Sequence, residues 1–119
     1  MNIKYVPKSL SKADRAKQIK SIKKQTLRPK VKAPYKRSSH VVKFEKKYGN
    51  KITDPRVKNI ISQTGINTIL AKGKAAYFSA GSRPNTTPTQ WARARLASVI
   101  MNGPARKVDK DIWNQYKKV

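Results

Sequence analysis

Three arginines, Arg83, Arg93 and Arg95, crowd into the stretch GSRPNTTPTQWARARLASVI at 81–100. A guanidinium presents a rigid fork of donors, suited to a bidentate grip on a phosphate or a carboxylate. Arg83 stands between Ser82 and Pro84 in a stiff loop, so it is better held for such a grip than a lysine on a solvated tail. The same residue also reads as an ordinary turn position, and both readings stand. At about 100° per residue, Ala92, Leu96 and Val99 share one helix face, Trp91 and Arg95 lie on one shoulder, and Arg93 is nearly opposite Arg95. The two helical arginines therefore cannot point the same way. One is expected to stack or pair inside the fold and the other to reach out, while Trp91 joins the core.

Catalytic groups are scarce. The chain holds a single histidine, His40, no cysteine, and five acids: Asp14, Glu45, Asp54, Asp109 and Asp111. A lone histidine at a helix start makes neither a metal cluster nor a catalytic triad, and a capping or surface role is expected of it. Without cysteine there is no disulfide and no thiolate metal site, so the chain reads as intracellular or packaged inside something. Asp109 and Asp111 could share a cation, but their spacing also suits a helix N-cap and a first-turn acid. The stretch AKGKAAY at 71–77 lacks the spacing of a phosphate-binding loop. No catalytic residue, metal site, cofactor or small-molecule substrate is expected.

What the chain has in abundance is positive charge. Lys and Arg number 29 against the five acids, a formal charge of +24 on 119 residues. Residues 1–59 carry 19 bases and 3 acids, and residues 60–119 carry 10 and 2, so the N-terminal half is the more electrostatic. Such a body repels itself and is expected to bind a polyanion or an acidic surface. Nucleic acid is the first candidate, because phosphate contacts release condensed counterions. Insertion into a membrane is not expected, since no apolar run approaches the ~20 residues that span a bilayer. The candidate contacts are Lys12, Arg15, Lys20, Lys23, Lys24, Arg28, Lys30, Lys32, Lys36 and Arg37, joined by Arg83, Arg93, Arg95, Arg106 and Lys107.

The elements that must position these residues are mainly helical. Ser11 offers an N-cap for a helix over 12–26 whose stripe of Ala13, Ala16, Ile19 and Ile22 is narrow. Pro29 and Pro34 favour an extended path through TLRPKVKAPYKRSS at 26–39. That segment reads either as a basic strand running along phosphates or as a solvated linker. Ser38 or Ser39 caps a helix through Tyr48, with Val41, Phe44 and Tyr48 on one face and Gly49 as its stop. Asp54, Pro55 and Gly65 delimit a further helix burying Val57, Ile60 and Ile61, and Asn67 caps another over 68–72 that ends or kinks at Gly73. The chain near Tyr77 and Phe78 is expected to be extended. Thr87 and Pro88 open a helix to about Asn102, with Gly103 beyond, and Asp109 caps a last helix bearing Ile112, Trp113 and Tyr116.

The sum is a mainly α, small single-domain fold of about five short helices. Residues 1–37 form a basic N-terminal arm with the first helix, and residues 38–119 form a compact helical core. One local pattern suggests a DNA reader: a helix–turn–helix hinged at Gly65, presenting Asn67, Thr68 and Lys72 to a groove.

The stretches RPK at 28–30 and KRSSHVVKFEKKYG at 36–49 resemble a known family, as do KGKAAYFSAGSRPNTTPTQWARARLASVI at 72–100 and GPARKVDKDI at 103–112. It is a family of small basic domains without assigned function, encoded by large double-stranded DNA viruses of the algal-virus and giant-virus lineages and by some tailed phages. The resemblance covers about residues 5–112 and brings no catalytic residues. It implies a viral product, packaged in the virion and intracellular in the infected host during assembly. The leading expectation is thus a non-enzymatic virion protein that contacts packaged DNA, the inner capsid surface, or both. A minor capsid protein bridging coat subunits and a ribosomal-type RNA-binding protein are the alternatives.

Overall fold

The computed structural model describes residues 11–27, 38–79 and 86–119. Among them are six α-helices: α1 (Lys12–Lys24), α2 (Ser39–Tyr48), α3 (Gln63–Ser79), α4 (Pro88–Ile100), α5 (Pro104–Val108) and α6 (Lys110–Tyr116), with a short 3-10 helix at Pro55–Asn59 between α2 and α3. The fold is mainly α and small, as expected.

α4 is the hub. It packs on α2, α3 and α5, and α3 in turn packs on α6. Because it is approached from several sides, burial extends beyond Ala92, Leu96 and Val99 to Ala97, Ser98 and Ile100. Phe44, Ile61, Ile69 and Trp113 complete one contiguous core with Leu96, Val99 and Ile100. Each such large side chain contributes about 1.5–3 kcal/mol by leaving water. Thr87 starts α4 with a full capping box, its hydroxyl accepting from the Gln90 N–H while the Gln90 side chain accepts from the Thr87 N–H.

The expected helix boundaries between 54 and 79 are corrected. Asp54 and Pro55 do open a helix, but it is a 3-10 helix of five residues that stops at Asn59. Gly65 and Gly73 are not stops; both lie inside the continuous α3, which also takes up Tyr77 and Phe78 in place of an extended piece. Their job is close approach. A Cβ added at Gly73 would lie 2.6 Å from the Ala92 Cα, and one at Gly65 would lie 2.6 Å from the Tyr116 Cβ and 2.8 Å from Ile61 Cγ1. Glycine here is a notch that lets α4 and α6 sit against α3. The helix–turn–helix hinged at Gly65 falls with this correction, since Asn67, Thr68 and Lys72 stand on one uninterrupted helix.

α4 ends at Ile100, two residues short of the expected limit. Asn102, at φ 58°, takes the left-handed position instead of Gly103. The Gly103 N–H donates to the Ser98 carbonyl at 2.7 Å and the Asn102 N–H to that of Val99 at 3.3 Å, the paired bonds of a Schellman stop. Gly103 is needed for space: a Cβ there would meet Ser98 Oγ at 2.6 Å and the His40 ring at 3.2 Å.

The stripe expected on α1 is also corrected. Ala13 and Ala16 are exposed, and the face turned inward carries Asp14, Arg15, Gln18, Ile19, Ser21 and Ile22. The α1 helix is absent from the principal helix pairs, all of which lie within α2–α6. Its N-cap is as expected, with Ser11 Oγ accepting from the Asp14 N–H at 3.2 Å.

Candidate polyanion-binding surface

The arginines of α4 divide as expected. Arg95 turns inward and binds the fully buried Asp109 through two bonds of 2.7 Å, from Nε to Oδ2 and from Nη2 to Oδ1. The Asp109 bonds hold the Arg95 guanidinium above its ordinary pKa, against the opposing effect of burial. Arg93 is exposed. Trp91 is half-buried and stands outside the core cluster, a correction to its expected place in the core. Asp109 holds the N-cap position of α6, but its carboxylate makes no capping bond; it serves Arg95 instead, whereas Asp111 lies in the first turn as expected.

Arg106 is likewise spent inside the fold. Its Nε donates to the Val99 carbonyl at 2.8 Å and its Nη2 to the Ile100 carbonyl at 2.9 Å, closing the C-terminal end of α4. Its guanidinium lies over the Trp113 ring, 4.3 Å from the centroid. A cation at this helix end also meets the negative end of the dipole. Arg56 binds Asp54 at 3.0 Å, which keeps the Asp54 carboxyl below its ordinary pKa, first through the side-chain bond and then through the Arg56 N–H.

The lysines behave differently. Lys12, Lys20, Lys23 and Lys24 are exposed on α1, and Lys107 is exposed at the end of α5. Sequence reasoning missed Lys17, which shares the exposed face of α1, and Lys43 and Lys46, which are exposed on α2. The signal was available in α1, because Lys17, Lys20 and Lys24 follow a helical repeat. Arg15 is half-buried; its Nε is shut off from solvent and bonds nothing among the described residues. Arg28, Lys30, Lys32, Lys36, Arg37 and Arg83 lie outside the described residues, and with Arg83 the loop grip expected of it.

His40 is half-buried, its ring against Gly103 where α2 meets the start of α5. Among the described residues no group of three His, Cys, Asp or Glu side chains could hold a metal, and no helix is long and apolar enough to cross a membrane. The arrangement offers exposed ammonium groups over a core stitched by arginine. No curated protein and no solved structure matches the chain. Its ancestry is nevertheless defined along nearly its whole length, across the basic α1 and the arginine-stitched core alike: residues 4–115 match a family of unknown function, DUF5824, and the chain belongs to it.

Proposed function

We propose that the protein is a non-enzymatic, polyanion-binding structural protein whose ligand is nucleic acid, with DNA favoured. In the setting that the sequence resemblance implies, it lines or coats packaged DNA in a virus particle. One observation carries this reading. Arg95 and Arg106 are consumed by bonds within the fold, whereas the lysines of α1 stand in solvent. A net charge of +24 displayed mainly by ammonium groups is suited to phosphate neutralisation without base readout.

The test is fluorescence anisotropy of a labelled DNA duplex titrated with the protein across a salt series. Contact with about eight phosphates gives a slope of log K against log salt near −7. Weak binding at physiological salt, with no steep slope, overturns nucleic acid as ligand and transfers the basic surface to an acidic protein partner such as a coat subunit. Preference for RNA over DNA would favour the ribosomal-type alternative.

A further inference from the structure

The exposed face of α1 has an order that its composition alone does not convey. At about 100° per residue, the seven exposed residues fall within one arc of about 140°, and the six inward residues fill the remainder. Lys12 and Lys23 form one edge of that arc, near 0° and 20°, and Lys24 and Lys17 form the other, near 120° and 140°. Between the edges lie Ala16, Lys20 and Ala13, in that angular order. Two lysine rows thus flank a strip that is low at two of its three positions.

We propose that α1 seats in the major groove of B-form DNA, with its lysine rows reaching the phosphates of opposite strands and Ala13 and Ala16 facing the groove floor. This deepens the nucleic-acid reading above and rests on it. The fit is one of size and charge. An α-helix with side chains is ~10–12 Å across, and the major groove is about 12 Å wide. Rows about 120° apart on such a cylinder point to both walls at once, which a single row does not. Alanines at the floor allow close approach and carry no hydrogen-bonding group, so base readout falls to Lys20 alone and sequence preference is slight. The deep, narrow major groove of an A-form RNA duplex does not admit a helix, which commits the face to DNA. Access is open because all seven residues of this face are exposed. α1 thereby replaces α3, where Asn67, Thr68 and Lys72 were expected to read a groove.

The experiment is the same anisotropy titration on the full chain, comparing two sets of four substitutions. One set is K12Q/K17Q/K23Q/K24Q; the other removes equal charge from exposed lysines elsewhere, K58Q/K74Q/K110Q/K118Q. The α1 set is expected to flatten the salt slope by about 3 to 4, at ~0.9 for each phosphate no longer neutralised, and the control set by less than about 1. A third variant, Ala16→Phe, keeps every charge while filling the floor and is expected to weaken duplex DNA binding at least tenfold. Circular dichroism and melting curves confirm that each variant is folded. K12R/K17R/K23R/K24R, which preserves charge on the same rows, is expected to keep the slope. Equal flattening by both lysine sets, or full affinity in Ala16→Phe, overturns the seating of α1 while leaving nucleic-acid binding intact. Undiminished binding of an RNA duplex overturns the groove assignment. If the unmodified protein shows no salt-dependent DNA binding, the parent reading itself fails and takes this one with it.

Discussion

At the C-terminal end of the molecule, Arg95 grips Asp109 and Arg106 closes the last carbonyls of α4, whereas on α1 the lysines of the outer face make no bond among the described residues. Both regions are basic, and they use the charge oppositely. A guanidinium can satisfy two acceptors in fixed geometry and still stack on an aromatic ring, so it tolerates partial burial. An ammonium is strongly hydrated and does best at the end of a flexible stem in water. Counting Lys and Arg together therefore overstates the charge available for binding in the core and understates how much of it stabilises the fold.

The sharpest way to break the contrast is Arg95→Ala. Removal of this partner leaves the Asp109 carboxylate buried and unpaired, at a cost of about 3–5 kcal/mol, and urea denaturation is expected to show a correspondingly lower midpoint. DNA affinity per folded molecule should barely change. Arg106→Ala comes next, at about 1–2 kcal/mol, because it uncaps two carbonyls and unstacks Trp113; the tryptophan emission should shift as well as the midpoint. Arg15→Met is expected to have the opposite sign. Arg15 keeps an Nε shut from solvent without a partner, so an apolar side chain of similar length should raise stability by about 1 kcal/mol in the same assay. A lower midpoint would show that this guanidinium stabilises the fold after all.

The smallest effect belongs to the exposed pair Asp54–Arg56. The Asp54 carboxyl is lowered from its ordinary 3.8 by the Arg56 side-chain bond and then by the Arg56 N–H. Its contribution is therefore present above that value and lost as pH falls through the lower folded value. Asp54→Asn should lower stability slightly at neutral pH and converge with the unmodified protein at strongly acid pH, so that the acid end of its curve is flatter. Stability curves measured on both proteins from strongly acid to neutral pH check the sign.

Much of the helical content was legible because its signals are local. Ser11, Ser38, Asp54 and Thr87 each cap where a short polar residue precedes a helical pattern, and Gly49 ends α2 at φ 71°. What was not legible depends on residues distant in sequence. Gly65 and Gly73 look like stops along the chain, and only Tyr116 and Ala92 pressing against them reveal notches. Asp109 reads as a cap until Arg95, fourteen residues earlier, claims its carboxylate. On α1 the Ala13, Ala16, Ile19, Ile22 repeat suggested the buried stripe, but Gln18, Ser21 and Ile22 are what the fold covers. Among the candidate binding residues, lysine positions on α1 could be read from spacing, whereas the inward assignment of Arg106 required the end of α4 to be in place.

One further feature bears on how the protein is made. An antiparallel bridge pairs Ile61 with Lys117, flanked by the Ser62 N–H bonded to the Tyr116 carbonyl and the Lys118 N–H bonded to the Ile60 carbonyl. A chain synthesised from its N-terminus must expose the Ile60–Ser62 backbone for more than fifty residues of elongation before its partner exists. The core consequently closes late, after α6 has emerged, and until then the growing chain presents unpaired backbone beside two isoleucines in the crowded cell.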